Sequence, residues 1–400
     1  MKEKWMGVVD LYGRYSQRIL SIAGSAYLAV ALLSYCLLFK QSQSVWNDVA
    51  VIGLDLIRKA AFIIFLISIL YNVWKKKLDW KLCGGFFLLS GLVTFFSKDA
   101  EPIKMFFLLT ALSVLPFDFI LKKYYNVQSF ILLLVITLTA FGVIENILYD
   151  KDRMRFGLGF DWTTTAAVLL LHILILYECV RRYKWLRSEV YLYLLGIMVI
   201  YLFTNSRFIF IMSVLFLGFV ILQQKFRFFS CEKKWLRIAL TYLPVGFFIL
   251  SSIIFLLYDP SNGVWKFFNS ALSDRLALGH SGLLKYGITI FGQPIRWVGY
   301  SFKMASGTYN YIDNSYVRFF LESGIVNILF YILISSIGIW DLYKKRQPRK
   351  IASFSFLMIL GVIEPFFFNP LFNPFLIYGY KALNKMILKK TAQRRLEKTL

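Results

Sequence analysis

Apolar residues run through this chain in blocks of about 20, separated by short polar segments. At a rise of about 1.5 Å per residue, a helix over each block crosses a hydrocarbon layer of roughly 30 Å. The blocks fall near residues 19–39, 52–74, 80–97, 102–120, 127–148, 162–180, 189–204, 207–224, 236–258, 316–340, 351–368 and 371–388. They predict an all-α polytopic integral membrane protein with about 12 transmembrane helices, or 10 to 12 by this spacing, in a single transmembrane domain over residues 1–400. The last block is the weakest, because it holds Pro374, Lys381 and Lys385, and the junction between the seventh and eighth is very short. One segment breaks the rhythm: residues 259–315 form a loop far longer than the rest. Within it GVWKFFNSAL predicts an interfacial helix and SDRLALGHSGLLKYGITIFG a second amphipathic one, while the glycines, Pro294 and residues 301–310 read as irregular loop. A long loop in a compact helical protein is usually a lid or a site.

Charge gives the blocks a direction. Lysine and arginine concentrate in alternate connections: Lys2, Lys4, Arg14 and Arg18; Lys75, Lys76, Lys77 and Lys81; Lys122 and Lys123; Arg181, Arg182, Lys184 and Arg187. The pattern continues with Lys225, Arg227, Lys233, Lys234 and Arg237, then Lys344, Lys345, Arg346, Arg349 and Lys350, then a basic tail after Lys381. Cytoplasmic loops hold such an excess, so both termini are expected in the cytoplasm of a bacterial cell and the 259–315 loop outside it. A composition that is 58% hydrophobic excludes an ordinary soluble core. The net charge of +24 does not argue for nucleic acid, because the basic residues sit in short loops where topology and anionic lipid of the bilayer already account for them. The first apolar run is too long for a signal-peptide core and suits an uncleaved span. Cys36, Cys83, Cys179 and Cys231 show neither metal nor disulfide spacing, so no metal and no cofactor is expected.

Against that charge rule, the outer segments hold Arg153, Arg155, Arg207, Arg275 and Arg296, with Arg58 and Arg318 near the outer ends of their spans. Guanidinium groups are permanently charged fork donors suited to phosphate oxygens. The plainer reading gives each a local acid: Arg153 with Asp150 or Asp152, Arg58 with Asp55, Arg318 with Glu322 at i,i+4. Arg207, in the tight TNSRF turn, has no acid close by in sequence. Asp313 and Asn314 precede the tenth block, where an N-cap is expected; a carboxylate there is also a candidate base. Glu322, two turns further in, is an ionisable group at membrane depth. His280 lies in the long loop, where an ordinary loop histidine is the plainer reading. His172 and Glu178 read as structural, and Glu145 and Glu364 as intermediate cases. The Glu364-Pro365, Asn369-Pro370 and Asn373-Pro374 pairs break the last helix pair.

TNSRF opening a span, a long outer loop with an SDR segment and FG, and DNSYVRFFLESGIVNILFYIL, in that order, resemble the superfamily of O-antigen and capsule repeat-unit polymerases (Wzy-type) and O-antigen ligases; RMRFGLGFDWTTTA is similar to that family's segment between spans five and six. The resemblance covers residues 145–375. It implies a GT-C-like membrane glycosyltransferase architecture with one long extracytoplasmic loop, and a metal-independent polymerase that joins undecaprenyl-diphosphate-linked repeat units, working beside a chain-length regulator and a flippase of the same pathway. A sugar hydroxyl would attack the anomeric carbon and undecaprenyl diphosphate would leave. Arg207 and Arg275 match the family's arginines best by position, Arg153 or Arg155 would be the third contact, and Arg296, Arg318 and Asn314 complete the substrate-binding set. The ligase pattern has histidine where this chain has Asp313, which favours polymerase over ligase. Asp313 is then the first choice for the base, with Glu322 and His280 behind it. The competing class is a lipid-linked oligosaccharide flippase or other transporter, which calls for internal repeats and midplane charges; here the polar groups gather at the outer face.

Overall fold

The computed structural model describes residues 2–41, 45–150, 153–226, 233–299 and 309–397. Asp152, Arg227, Cys231 and the 301–308 part of the predicted irregular loop lie outside the described residues. In chain order the elements are α1 (Lys2–Leu33), α2 (Leu38–Gln41), α3 (Val45–Trp74), α4 (Trp80–Ser97), α5 (Glu101–Leu112), α6 (Phe117–Ala140), β1 (Leu148–Asp150), β2 (Arg155–Phe156), α7 (Thr165–Val180), α8 (Arg187–Thr204), α9 (Arg207–Phe226), α10 (Lys234–Leu256), α11 (Gly263–Ala271), α12 (Arg275–Tyr286), α13 (Ser315–Lys344), α14 (Pro348–Leu360) and α15 (Phe375–Glu397). Among the described residues, seven helices are long and apolar enough to cross a membrane: α1 over Tyr15–Leu33, α4, α6, α8, α9, α10 and α13. Their outward faces leave Leu192, Leu195, Leu202, Ile249 and Leu250 exposed, which suits hydrocarbon and not water. The chain is an all-α protein of the multi-pass membrane kind.

Three boundaries depart from the apolar pattern, each for a local reason. The predicted 102–120 span is two pieces: α5 stops at Leu112 and α6 begins at Phe117 behind Pro116, whose missing N–H and fixed φ suit a helix start and not an interior. α6 therefore begins ten residues before the expected 127 and ends at Ala140, and the chain then pairs β1 with β2 antiparallel. The expected second loop helix is α12, which stops at Tyr286 because the residues after it are used elsewhere, as described below.

Polar contacts sort the connections to two ends of the bundle. At one end Asn384 donates to the Lys77 carbonyl, Lys381 to that of Leu115, Arg349 to that of Arg181 and Tyr343 to that of Lys233, while Lys350 pairs with Asp118 at 2.5 Å. This end carries the predicted cytoplasmic lysine and arginine loops. At the other end, the Leu37 amide donates to the Gly159 carbonyl, Arg155 to that of Thr204, and the Ser315 amide to that of Gly361.

Residues 361–374, between α14 and α15, turn back into the bundle without forming a helix. Tyr124 Oη and Gln128 Nε2 donate to the carbonyls of Pro370 and Leu371, Asn373 Nδ2 donates to that of Phe367, and Ser315 Oγ both donates to the Glu364 carbonyl and accepts from the Phe367 amide. Irregular backbone packed inside a helical bundle survives only when its polar groups are met by the protein. The proline pairs break the last helix pair as the sequence suggested, and the broken stretch folds back into the bundle as a re-entrant segment.

α13 is broken in the same manner. Gly324 sits at φ 80° and ψ 170°, and the freed Ile325 and Val326 amides donate to the carbonyls of Thr289 and Ile290. The Gln293 amide donates in turn to the Glu322 carbonyl. Residues 289–293 of the long loop are therefore strapped into the helix break beside Glu322. A Cβ on Gly324 would lie 2.4 Å from the Gly292 nitrogen and 2.4 Å from the Ile290 oxygen, in backbone geometry that L residues avoid. Gly324→Ala is expected to expel the strap; limited trypsinolysis should then cut faster at Arg296, and an unchanged cleavage rate would contradict this docking.

Candidate functional site

At the end of the bundle opposite the lysine-rich loops, a cavity of about 970 Å³ opens between α1, α3, the α4–α5 turn, the start of α7, the strap, the first turns of α13 and the re-entrant segment. Three groups of polar side chains line it or its wall.

The first centres on Arg275. The SDR turn carries Ser273 and Asp274 in left-handed backbone, held by Asn269, whose Nδ2 donates to Asp274 Oδ1 at 2.8 Å and whose Oδ1 accepts from the Ala277 amide at 2.9 Å. Arg275 then opens α12 with its guanidinium over the Phe208 ring, 4.7 Å from the centroid. Its Nε donates to Oδ2 of Asp313 at 2.9 Å, Nη2 makes an ion-pair contact with the same oxygen at 2.9 Å, and Nη2 lies 3.9 Å from Glu364. Burial alone would lower the affinity of Arg275 for its proton; Asp313 and then Glu364 outweigh it and leave the group above its usual value. Both nitrogens approach one oxygen of Asp313, and among the described residues no donor reaches Oδ1, while the residue itself lines the cavity. Arg155 lies within electrostatic reach of Glu364, its own proton affinity lowered by burial and by Arg153.

The second group is Arg318 with Glu322. Arg318 Nε donates to Glu322 Oε1 at 2.9 Å, the i,i+4 pair read from the sequence, and the same oxygen accepts from Trp297 Nε1. The Arg318 guanidinium lies 4.3 Å from the Tyr311 ring centroid and 5.5 Å from that of Trp297. The third lies across α3 and the α4–α5 turn. Asp55 pairs with Lys59 at 2.7 Å and not with Arg58, and Glu101 pairs with Lys104 at 2.7 Å. Arg58 reaches the Val30 carbonyl only at 3.4 Å, and its Nε is buried with no partner among the described residues. Lys98 also lines the cavity.

The remaining sequence candidates stand elsewhere. Arg207 is exposed at the start of α9 and does not line the cavity; its neighbour Phe208 is the part of TNSRF that touches Arg275. Arg153 is held through its backbone, its amide on Asp150 Oδ1 and its carbonyl accepting from Asn205, and it too lies off the cavity. His280 Nδ1 bonds the Phe255 carbonyl at 2.8 Å, with its ring against Tyr258, away from the carboxylates. Asn314 is the N-cap of α13: its Oδ1 accepts from the Val317 amide and its Nδ2 donates to Ser251 Oγ and the Val362 carbonyl, so it fixes Asp313 and does not line the cavity. Arg296 lines the cavity and is exposed. His172 and Glu178 are buried and bonded, to the Val168 carbonyl and to Trp185, as structural residues.

Sequence reasoning left Glu364 as an intermediate case, named Arg58 among the outer-end arginines without placing it in the binding set, and passed over Lys98 and Lys104. The signal was present: Lys98 and Lys104 are basic residues in a connection the charge rule makes poor, the same anomaly as the arginines. The aromatic residues Trp162, Trp297 and Tyr311 gave no signal in a chain that is 18% aromatic. Among the described residues no group of histidine, cysteine and carboxylate side chains has a metal-binding arrangement. Comparison with family models, with curated proteins and with solved structures finds no match to this chain.

Proposed function

We propose that the protein is a polysaccharide polymerase of the bacterial cytoplasmic membrane. In this reading it spans the bilayer about twelve times, with both termini in the cytoplasm, and joins undecaprenyl-diphosphate-linked repeat units at the outer face. The observation that carries the proposal is that Asp313 and Glu322 line one cavity, Asp313 paired with Arg275 behind it and Glu322 with Arg318 beside it, each carboxylate keeping one oxygen without a partner among the described residues. A glycosyl transfer needs both parts. The acceptor hydroxyl loses its proton to a carboxylate as its oxygen bonds the anomeric carbon, and the bond from that carbon to the diphosphate oxygen breaks, so the lipid diphosphate leaves with the electron pair. Asp313 is the base of choice because Arg275 fixes its orientation. Arg58, Lys98 and Arg296 are cavity cations free to meet the developing diphosphate charge, and Arg318, paired with Glu322, is less suited to it. The protein's GT-C-like character and its place beside a flippase and a chain-length regulator belong to the same proposal.

Deleting the gene and resolving lipid-linked glycans tests it. The expected result is single repeat units exposed on the outer leaflet and no long surface chains. Units trapped on the inner leaflet would indicate a flippase, and long chains retained on the carrier lipid a ligase; either overturns the proposal. Complementation with Asp313→Asn is expected to leave the deletion phenotype in place while the protein still accumulates in the membrane.

A further inference from the structure

Within the same cavity Trp162, Trp297 and Tyr311 form one continuous aromatic wall. The Trp162 and Tyr311 ring centroids are 5.0 Å apart and those of Trp297 and Tyr311 6.3 Å apart. All three are only partly buried and line the cavity, unlike the fully buried rings of the core such as Tyr316 and Phe354. The backbone sets each one deliberately. The turn before Trp162 is fastened to the end of α1, with the Leu37 amide on the Gly159 carbonyl, the Asp161 amide on that of Tyr35, and Lys40 paired with Asp161. Trp297 and Tyr311 are held side by side because Asn310 bonds Val298 twice, its amide to the Val298 carbonyl at 3.1 Å and its Oδ1 accepting from the Val298 amide at 2.7 Å. The Trp162 ring also packs against the backbone at Gly299, where a Cβ would come within 2.3 Å of it.

The polar groups at the edge of this wall decide what it takes. Arg318 is already neutralised by Glu322, and the second oxygen of Glu322 has no donor among the described residues. A phosphate would meet that carboxylate and be repelled; an alkyl chain would strand the ion pair without water. A polyol loses on neither count, since its hydroxyls donate to the free carboxylate oxygen and accept from guanidinium N–H groups, while the C–H face of a pyranose lies on the negative face of an aromatic ring.

We propose that Trp162, Trp297 and Tyr311 are a stacking platform for an uncharged sugar ring, with Glu322 and Arg318 hydrogen-bonding its hydroxyls. The proposal rests on the polymerase reading and adds where the glycan part of a substrate lies, apart from the Arg275 and Asp313 group. Under it Glu322 is a sugar-binding residue and not the base.

Equilibrium dialysis of the full chain in nanodiscs, with lipid-free oligosaccharide released by mild acid from the producing organism's own surface polysaccharide, tests it directly. Trp162→Ala and Tyr311→Ala are expected to raise the dissociation constant by about tenfold, the scale of one lost aromatic contact. Trp162→Phe should recover most of the affinity, and Trp80→Ala, which removes an exposed indole at the opposite end, should bind as the wild type does. Pyrophosphate should not compete. Absence of oligosaccharide binding to the wild type, alanine variants that bind as tightly as it does, or competition by pyrophosphate would each overturn the platform. The gene deletion reports separately on polymerisation: unchanged surface polymer there removes the catalytic reading, whereas dialysis speaks to the platform alone.

Discussion

Arg275→Ala should abolish polymer formation, with turnover reduced by a factor of about 10² to 10³ or more, the range seen when a group that organises transition-state charge is removed. The reason lies in what the guanidinium holds: one hydrogen bond from Nε and one ion-pair contact from Nη2 on a single oxygen of Asp313, with Glu364 3.9 Å from Nη2. Without it two carboxylates face one another on a partly dry wall, and Asp313 loses the clamp that fixes its free oxygen. Breaking a half-buried pair from one side also lowers stability, so loss of activity alone would be ambiguous. Arg275→Ala combined with Asp313→Asn resolves it: the double variant should regain a monodisperse profile on size exclusion in detergent while polymer remains absent. Arg275→Lys should rescue little, because a point charge cannot reproduce the planar fork that places Nε and Nη2 together on Asp313. Polymer of normal length from Arg275→Ala would sink the assignment.

The largest effect on stability is expected from Gly379→Val. α13 and α15 cross with almost no side chain between them: a Cβ at Gly379 would lie 2.2 Å from the Ile334 oxygen and 2.8 Å from its carbonyl carbon, and one at Gly338 would lie 3.2 Å from the Gly379 Cα. Close backbone approach through small residues is how helices associate where lipid removes the usual hydrophobic drive. Backbone atoms cannot swing aside as a flexible side chain would, so the helices must separate, at about 3 kcal/mol or more. The separation would also disturb the re-entrant segment that leads into α15 and carries Glu364. The thermal midpoint of the detergent-solubilised protein should fall by several degrees; Gly338→Ala, with more room, should shift it less. An unchanged midpoint for Gly379→Val would show that the crossing is looser than these distances require.

Much of the architecture was legible because membrane physics writes it into composition. A buried backbone in hydrocarbon must be helical or satisfied by protein, so apolar blocks map onto helices and basic loops map onto one end. The expected loop helices were found at Gly263–Ala271 and Arg275–Tyr286, and the Arg318 and Glu322 pair at its expected i,i+4 spacing. Breaks were legible as breaks: the prolines at 365, 370 and 374 announced an interruption, but not that it would fold back into the bundle.

Side-chain partners were the part that local reading handled worst. Arg58 was expected on Asp55, one helical turn away, yet Lys59 takes that carboxylate. Arg207 looked the most exceptional arginine by position and stands outside the cavity, while its neighbour Phe208 lies under Arg275. Spacing along a helix names which residues share a face, and a tight turn can aim either of two adjacent side chains at the site.

The sequence by itself determined that this chain is helical and multi-pass, where its basic loops collect, and that the connections between those loops also hold cations needing explanation, because each follows from local hydropathy and charge. Only the tertiary structure decided that Arg275, Asp313 and Glu364 meet, that residues 289–293 fill the break at Gly324, and that three aromatic rings from distant segments line one wall. Those contacts join positions tens to hundreds of residues apart, and their geometry is set by how helices pack and by which backbone groups remain to be satisfied, quantities that no local pattern encodes.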